Sequence, residues 1–384
     1  MLKSKRFWLG VVITIVTLGL AFQGIQFDKL LESFARFNWV WLPFLIIVFM
    51  LSYTGRAFRW QALFHPYQPR WLRVFDMLNI GYLLNNVTPA RIGDLARAYL
   101  LGAREKIPVA RALSTVVVER ALDGLTVVLF LLVMLPFTPR VPEEYVRAAL
   151  ILGAVGLSVL FTLALVSYQQ ARGIAFLQRL AKPFPFLRRE GLWRFVEQLL
   201  AGFAVIRAPR PLFKAIFWSI EVWFVASVLS WLTMLAMGID APLIAGFWVQ
   251  VATALVVTVA ATPGQLGAFH LTAVFVMTTL FGADNNQALA YAFVMHGLTY
   301  LMLTLLGIIS TLREGIDLAK IQELGAPNHA VEPARFSAAD SATPSASNLA
   351  LENVDGAQPR AQDQALGALD ASAPLSETKA RARD

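Results

Sequence analysis

Cysteine is absent from the 384 residues, which excludes a disulfide framework, a thiol nucleophile and a thiolate metal site. Charge is scarce too: 15% of residues are Asp, Glu, Lys or Arg, against 57% hydrophobic. Mean hydropathy is +0.59. A soluble fold of this size could not hide so much apolar surface, so the composition predicts a polytopic helical membrane protein. The 4 histidines are scattered in no metal-ligand spacing, and neither a metal site nor a cofactor is expected. No Gly-x4-Gly-Lys-Ser/Thr run occurs, so no ATP site is read from the chain. No nucleophile is paired with a base, so no catalytic residue is assigned and the chain reads as a non-enzyme.

Apolar runs of spanning length recur. They predict an all-α membrane protein with about six transmembrane helices, at roughly 7–26, 39–58, 113–135, 146–167, 213–237 and 288–312. The run after Lys3–Arg6 is read as a retained first helix, because it is long for a signal peptide and no small-x-small site follows. Between the second and third spans lies a polar stretch, N-N-V-T-P-A-R-I-G-D-L-A-R-A-Y-L-L over 85–101. Its preceding arm, Val74–Val87, reaches only about 21 Å at 1.5 Å per residue, short of a hydrocarbon core of roughly 30 Å. A re-entrant hairpin buried among other helices accommodates both the short arm and the charges.

A copy of the motif lies 174 positions later, where Thr262-Pro263-Gly264-Gln265-Leu266-Gly267 repeats Thr88-Pro89-Ala90-Arg91-Ile92-Gly93. The segments around it, Pro242–Ala261 and Ala268–Phe281, form either a second re-entrant hairpin or two full spans. The repetition favours the hairpin, giving two inverted-topology units at about 39–135 and 213–312.

Loop charges orient the chain. The basic segment 168–212, counted through Lys214, carries nine Lys/Arg. Lys3, Lys5, Arg6, Arg70, Arg73, Arg104, Lys106 and Arg111 fall on the same side, while the opposite loops hold only Lys29, Arg36, Arg140 and Arg147. The positive-inside rule then makes both termini cytoplasmic. The formal net charge of +8 reports orientation and headgroup contact rather than a nucleic-acid partner. Within the basic segment, 191–206 reads as an amphipathic interfacial helix. The membrane domain is assigned to 1–324, and the Ala/Ser/Pro/Asp-rich stretch 325–384 to a disordered cytoplasmic tail.

The polar residues in this apolar frame are the candidate site. Arg91, Asp94 and Arg97 follow one side of a helix at i, i+3 and i+6, so Asp94 is expected to hold both guanidiniums. Arginine suits a forked grip on phosphate oxygens. Pro89 at the helix start and Gly93 let the chain turn and approach a neighbour. In the third span Glu119 and Asp123 share a face toward the hairpin arginines, and Arg120 points away toward another acid. Two readings stay open for these charges: an anion grip, or a structural ion-pair network. Asn85 and Asn86 complete the first candidate set. In the second half Glu221, Gln265, His270 and His296 are the buried-looking polar groups, a possible proton or second substrate site. Pro263 and Gly267 are its structural motif, matching Pro89 and Gly93.

The run G-Y-L-L-N-N-V-T-P-A-R-I-G-D-L-A-R-A-Y-L-L, then A-L-S-T-V-V-V-E-R-A-L-D-G-L, resembles the membrane region of lysylphosphatidylglycerol synthases and related stand-alone flippase-like proteins. The later T-P-G-Q-L-G-A-F and A-L-A-Y-A-F-V-M-H-G-L-T-Y-L are similar to that family's second signature. The match covers about residues 5–315. Two positions depart: Asp94 where the family more often has Glu, and His296 where Arg is common. The soluble aminoacyl-transfer domain of the synthases has no counterpart here. The resemblance implies movement of a lipid with a charged headgroup between leaflets of the bacterial inner membrane. Asn85, Asn86, Arg91, Gly93, Arg97, Glu119, Arg120 and Asp123 fall on motif positions.

The expected partner is therefore a membrane lipid with an anionic headgroup, a phospholipid or a polyprenyl-phosphate-linked lipid, with a lipid-synthesising enzyme as a further possible partner. Two other functional classes stay open: a membrane-embedded transferase using a polyprenyl-phosphate donor, and a non-transporting subunit of a lipid-modifying enzyme.

Overall fold

The computed structural model describes residues 5–88, 92–138, 141, 143–169, 174, 178–179, 190–259 and 263–316. Residues 1–333 form one unit. The expected tail 325–384 and part of the basic segment lie outside the described residues. The described chain is helical: α1 Lys5–Ala21, α2 Phe27–Ala35, α3 Leu42–Leu63, α4 Trp71–Val87, α5 Gly93–Glu105, α6 Val109–Met134, α7 Glu143–Tyr168, α8 Glu190–Gly202, α9 Pro209–Ala236, α10 Leu243–Val259, α11 Ala268–Phe281 and α12 Asn285–Glu314.

By length and composition, three stretches are able to cross a membrane: Trp39–Leu63, Pro209–Ala236 and Asn285–Glu314. α6 and α7 are comparable in length at 26 residues each, but α6 carries Glu119, Arg120 and Asp123 at its centre. The chain is an α-helical, multi-pass membrane protein. The arms on either side of the two Thr-Pro motifs are shorter. α4 and α10 have 17 residues each, α11 has 14 and α5 has 13, so each reaches about 26 Å or less. The arm expected over 242–261 is described as the helix Leu243–Val259, and residues 260–262 lie outside the described residues.

Other boundaries moved for identifiable reasons. α3 continues to Leu63 rather than stopping near 58, since no breaker intervenes before Pro66. The first span ends at Ala21, and Gly24 at φ 74° turns the chain into an unexpected helix, α2. Asn286 Oδ1 accepts the Gln26 amide at 2.8 Å and fixes that turn against α12. The amphipathic helix ends at Gly202 and tightens into a 3-10 turn, Phe203–Arg207, with Leu200 and Phe203 buried. It packs on α6 and α7.

α12 starts on a strong cap: Asp284 Oδ1 accepts the amides of Asn286 at 2.9 Å and Gln287 at 3.2 Å. Burial alone would raise this carboxyl, but those bonds and the nearby Lys29 charge hold it below the usual carboxylate value. A depressed value means that the cap contributes fully at neutral pH and is lost as pH falls through it. Asp284→Ala is expected to cost about 1 kcal/mol at neutral pH and progressively less in acid, as melting curves at the two pH values would read.

Helix pairing follows a pattern. α3 packs along α9, α4 along α12, and α6 along α10. α4 contacts α5 as α10 contacts α11, and α5 contacts α6 as α11 contacts α12. Two apolar cores result. One gathers Leu45, Phe49, Val127, Leu131, Met234, Trp248 and Tyr291; the other gathers Ala57, Trp60, Met77, Leu84, Leu101, Val118 and Leu122. α3 and α6 belong to both, and their charged residues sit where one core gives way to the other.

Candidate functional site

Three arginines and three acids converge at that junction from α3, α5 and α6. Arg59, fully buried on α3, donates to Glu119 Oε1 at 2.7 Å and Asp123 Oδ1 at 2.5 Å. Arg97, fully buried on α5, pairs with Glu119 Oε2 at 3.0 Å and Asp94 Oδ1 at 3.1 Å. Its guanidinium also lies 4.7 Å from the centre of the Trp60 ring, a cation–π contact. Trp60 is held in turn by donating to Thr115 at 2.8 Å. Arg120 closes the ring, reaching Asp94 Oδ2 at 2.6 Å and Asp123 Oδ2 at 3.2 Å. From α9, Trp223 Nε1 donates to Asp123 Oδ1 at 3.0 Å.

This geometry redistributes the expected contacts. Asp94 bridges Arg97 and Arg120; Arg91 and Pro89 lie outside the described residues. Glu119 does face a hairpin arginine, while Asp123 is taken by Arg59 and Arg120. The acid that Arg120 meets beyond its own helix belongs to the hairpin. Among the described residues, three guanidiniums meet three carboxylates in the network. Exposure is uneven: the Arg59 and Arg97 side chains are 0% and 1% exposed, Arg120 52%. Arg97 nevertheless keeps Nε and Nη1 buried without a hydrogen-bond partner among the described residues.

The hairpin that delivers Arg97 is held by glycines. A Cβ on Gly93 would overlap the Gly81 carbonyl oxygen, and one on Gly81 would meet Arg97. Asn85 Oδ1 accepts the Gly93 amide at 2.8 Å and secures the start of α5 across the crossing. Asn86 contributes its carbonyl, which accepts from the Tyr300 hydroxyl at 3.3 Å, and its Nδ2 is buried without a partner among the described residues.

In the second half, Thr262 lies outside the described residues and Pro263 opens a 3-10 turn. Gly264, Gln265 and Gly267 all take positive φ (58°, 61° and 79°). A Cβ on Gly267 would collide with Thr17, so its bareness seats this tip against α1. Beyond it, His270 is fully buried with neither ring nitrogen bonded among the described residues. Its ring centre is 5.0 Å from that of His296, which stacks 6.1 Å from Tyr300. Among the described residues, no second-half candidate makes an ion pair or hydrogen bond with the arginine–acid ring; the Tyr300 hydroxyl bonds the Asn86 carbonyl, and the turn Pro263–Gln265 contacts α4. Among the described residues no group of three or more His, Cys, Asp or Glu could hold a metal ion.

Several site residues escaped the sequence reading: Arg56, Arg59, Gly55, Trp60 and Trp223. Arg59 fell just beyond the expected end of its span at 58. Two arginines three apart in an apolar helix were the available signal.

Residues 7–307 match the family described as the lysylphosphatidylglycerol synthase TM region. A UPF0104 membrane protein of Methanocaldococcus jannaschii is 26% identical over 306 residues, covering 75% of this chain and 89% of its own. One from Methanothermobacter thermautotrophicus is 29% identical over 211 residues, 51% of this chain and 62% of its own. Another M. jannaschii UPF0104 membrane protein is 22% identical over 229 residues, 59% of this chain and 92% of its own. No solved structure matches the chain.

Proposed function

Since the chain belongs to the family of the lysylphosphatidylglycerol synthase transmembrane region, we propose that it moves an anionic phospholipid or polyprenyl-phosphate-linked lipid between the leaflets of the inner membrane. Both termini face the cytoplasm in this reading, and the hairpins α4–α5 and α10–α11 re-enter from opposite sides. The observation that carries the proposal is the arginine–acid ring at the tip-bearing helix α5, buried at its core and open at Arg120. Charges inside a membrane protein are costly and are kept where a polar substrate passes.

A phosphate arriving at the open edge takes Arg120 from Asp94, and the freed Asp94 remains on Arg97. Ion pairs are exchanged rather than broken, so no guanidinium is left unpaired at depth. The lipid tails stay in hydrocarbon throughout.

Support for two inverted units comes from the pairing pattern. Exchanging α3, α4, α5, α6 with α9, α10, α11, α12 maps α4–α12 onto α10–α6, α4–α5 onto α10–α11, and α3–α4 onto α9–α10. Each of these contacts is made. Under the same exchange α3–α9 maps onto itself, as a pair beside a two-fold axis must. Transporters built from inverted repeats place their sites near broken helices of this kind.

The test is reconstitution into liposomes with fluorescent anionic and zwitterionic lipids. Transfer of the anionic lipid by the wild type is expected. Arg120→Gln should slow transfer while changing stability by about 1 kcal/mol or less, as for an exposed pair. Folded wild-type protein that transfers no anionic lipid would sink the proposal.

A further inference from the structure

Glu221 lies outside the ring and carries the most unusual environment near it. α9 begins at Pro209, so this residue stands about 18 Å along the helix, close to its middle. Both carboxylate oxygens are buried, with no hydrogen-bond partner among the described residues. They fit because residue 55 is glycine: a Cβ there would overlap the Glu221 carboxylate. Gly55 and Arg59 are four apart on α3 and share a face, which puts the carboxylate about one turn from the guanidinium that holds Glu119 and Asp123. An ionised carboxylate without hydrogen bonds at membrane depth is strongly disfavoured, and a proton removes its charge.

We propose that Glu221 is a proton-binding site coupled to the headgroup site, so that a monoanionic lipid and one proton are taken up together. This rests on the lipid-translocating reading and adds its coupling ion. The reasoning is one of charge. Arg59, Arg97 and Arg120 cancel Asp94, Glu119 and Asp123. Beside them remain Arg56, which is in no ion pair among the described residues and lies 5.1 Å from the Tyr53 ring, and Glu221 itself, which feels the charges of Arg56 and Arg59.

With a proton on Glu221 these eight groups, counted among the described residues, sum to one positive charge, the complement of one phosphodiester. Without it they sum to zero. The protonated form therefore binds the anion better, and by reciprocity a bound anion favours the proton. The proton comes from water on the side where lipid loads and returns to water on the other.

The elements packed on α9 bring few competing groups. α3 presents Tyr53, Arg56 and Arg59, and α6 presents Glu119 and Asp123. α10 has no titratable side chain. α12 offers Tyr291, which is bonded to Ser230 farther along α9. Arg207 precedes the helix.

Binding of fluorescent phosphatidylglycerol to the purified full chain, against phosphatidylcholine as the zwitterionic probe, tests the proposal. Wild-type affinity for phosphatidylglycerol is expected to fall about tenfold as pH rises from about 5 to about 8, the effect of one charge about 10 Å away at an effective dielectric of about 20. Glu221→Gln should hold the low-pH affinity throughout, and phosphatidylcholine should show no such slope. If the glutamine variant does not fold, Glu221→Asp should keep the slope with a displaced midpoint. A wild-type slope that survives in Glu221→Gln, or a flat wild-type profile, overturns the proposal. In proteoliposomes an imposed pH gradient should drive net transfer by the wild type, with no gradient-dependent component in Glu221→Gln. Absence of any transfer by the wild type would instead overturn the translocation reading, leaving the binding profile to decide Glu221.

Discussion

Glu119→Gln is expected to destabilise the protein by about 3–5 kcal/mol, the usual consequence of removing one partner from a buried charge network. Glu119 is 1% exposed and gives one oxygen to Arg59 and the other to Arg97. An amide keeps one acceptor but turns an NH2 toward a guanidinium, so donor faces donor. Three arginines then meet two carboxylates, Asp94 and Asp123, at a depth where water cannot replace the third. Adding Arg97→Met should recover part of the loss, because it removes the uncompensated charge; a coupling of about 0.5–3 kcal/mol is the expected range for residues in one network. Denaturant or thermal unfolding in detergent measures all three variants. A Glu119→Gln protein that melts with the wild type would mean that the ring is not a desolvated network.

The contrast with Arg120 separates two kinds of residue in one ring. Arg59, Arg97 and Glu119 are enclosed and hold three helices together, so the structural reading of these charges applies to them. Arg120 and Asp94 sit at the open edge, where an anion grip has room. In the proposed function the two interpretations left open by the sequence divide between the ring's core and its rim.

How much of this was legible depended on the period of the signal. Helical membrane class, the two Thr-Pro motifs and the charged faces of 94–97 and 119–123 follow from local composition and from spacing along one helix. What closes the ring does not. Arg59 meets Glu119 across 60 positions, and Trp223 meets Asp123 across 100. No periodicity in a single chain records such pairings. Gly55 and Gly81 were equally silent, since a glycine in an apolar helix reads as a small residue until the group filling its missing side chain is known. A charge count along one helix likewise omits the acids that a neighbouring helix supplies, as Glu119 does for Arg97.

The hairpin crossing gives the second large effect. Gly93→Ala is expected to cost about 1–3 kcal/mol through overpacking and about 1 kcal/mol more through loss of the Asn85–Gly93 hydrogen bond. The added methyl would run into the Gly81 carbonyl, which cannot yield without moving α4, and would displace the Asn85 side chain. Arg97 stands one turn beyond Gly93 and packs on Gly81, so parting the two arms draws its guanidinium away from Glu119. Lipid transfer should therefore fall further than the folded fraction does. Gly124→Ala is the matched control: a Cβ there meets nothing within 4 Å, and alanine's helix preference should leave the protein unchanged or more stable by up to about 1 kcal/mol. If the two alanine variants melt and transfer lipid alike, then close approach at Gly93 is not what positions the buried arginine.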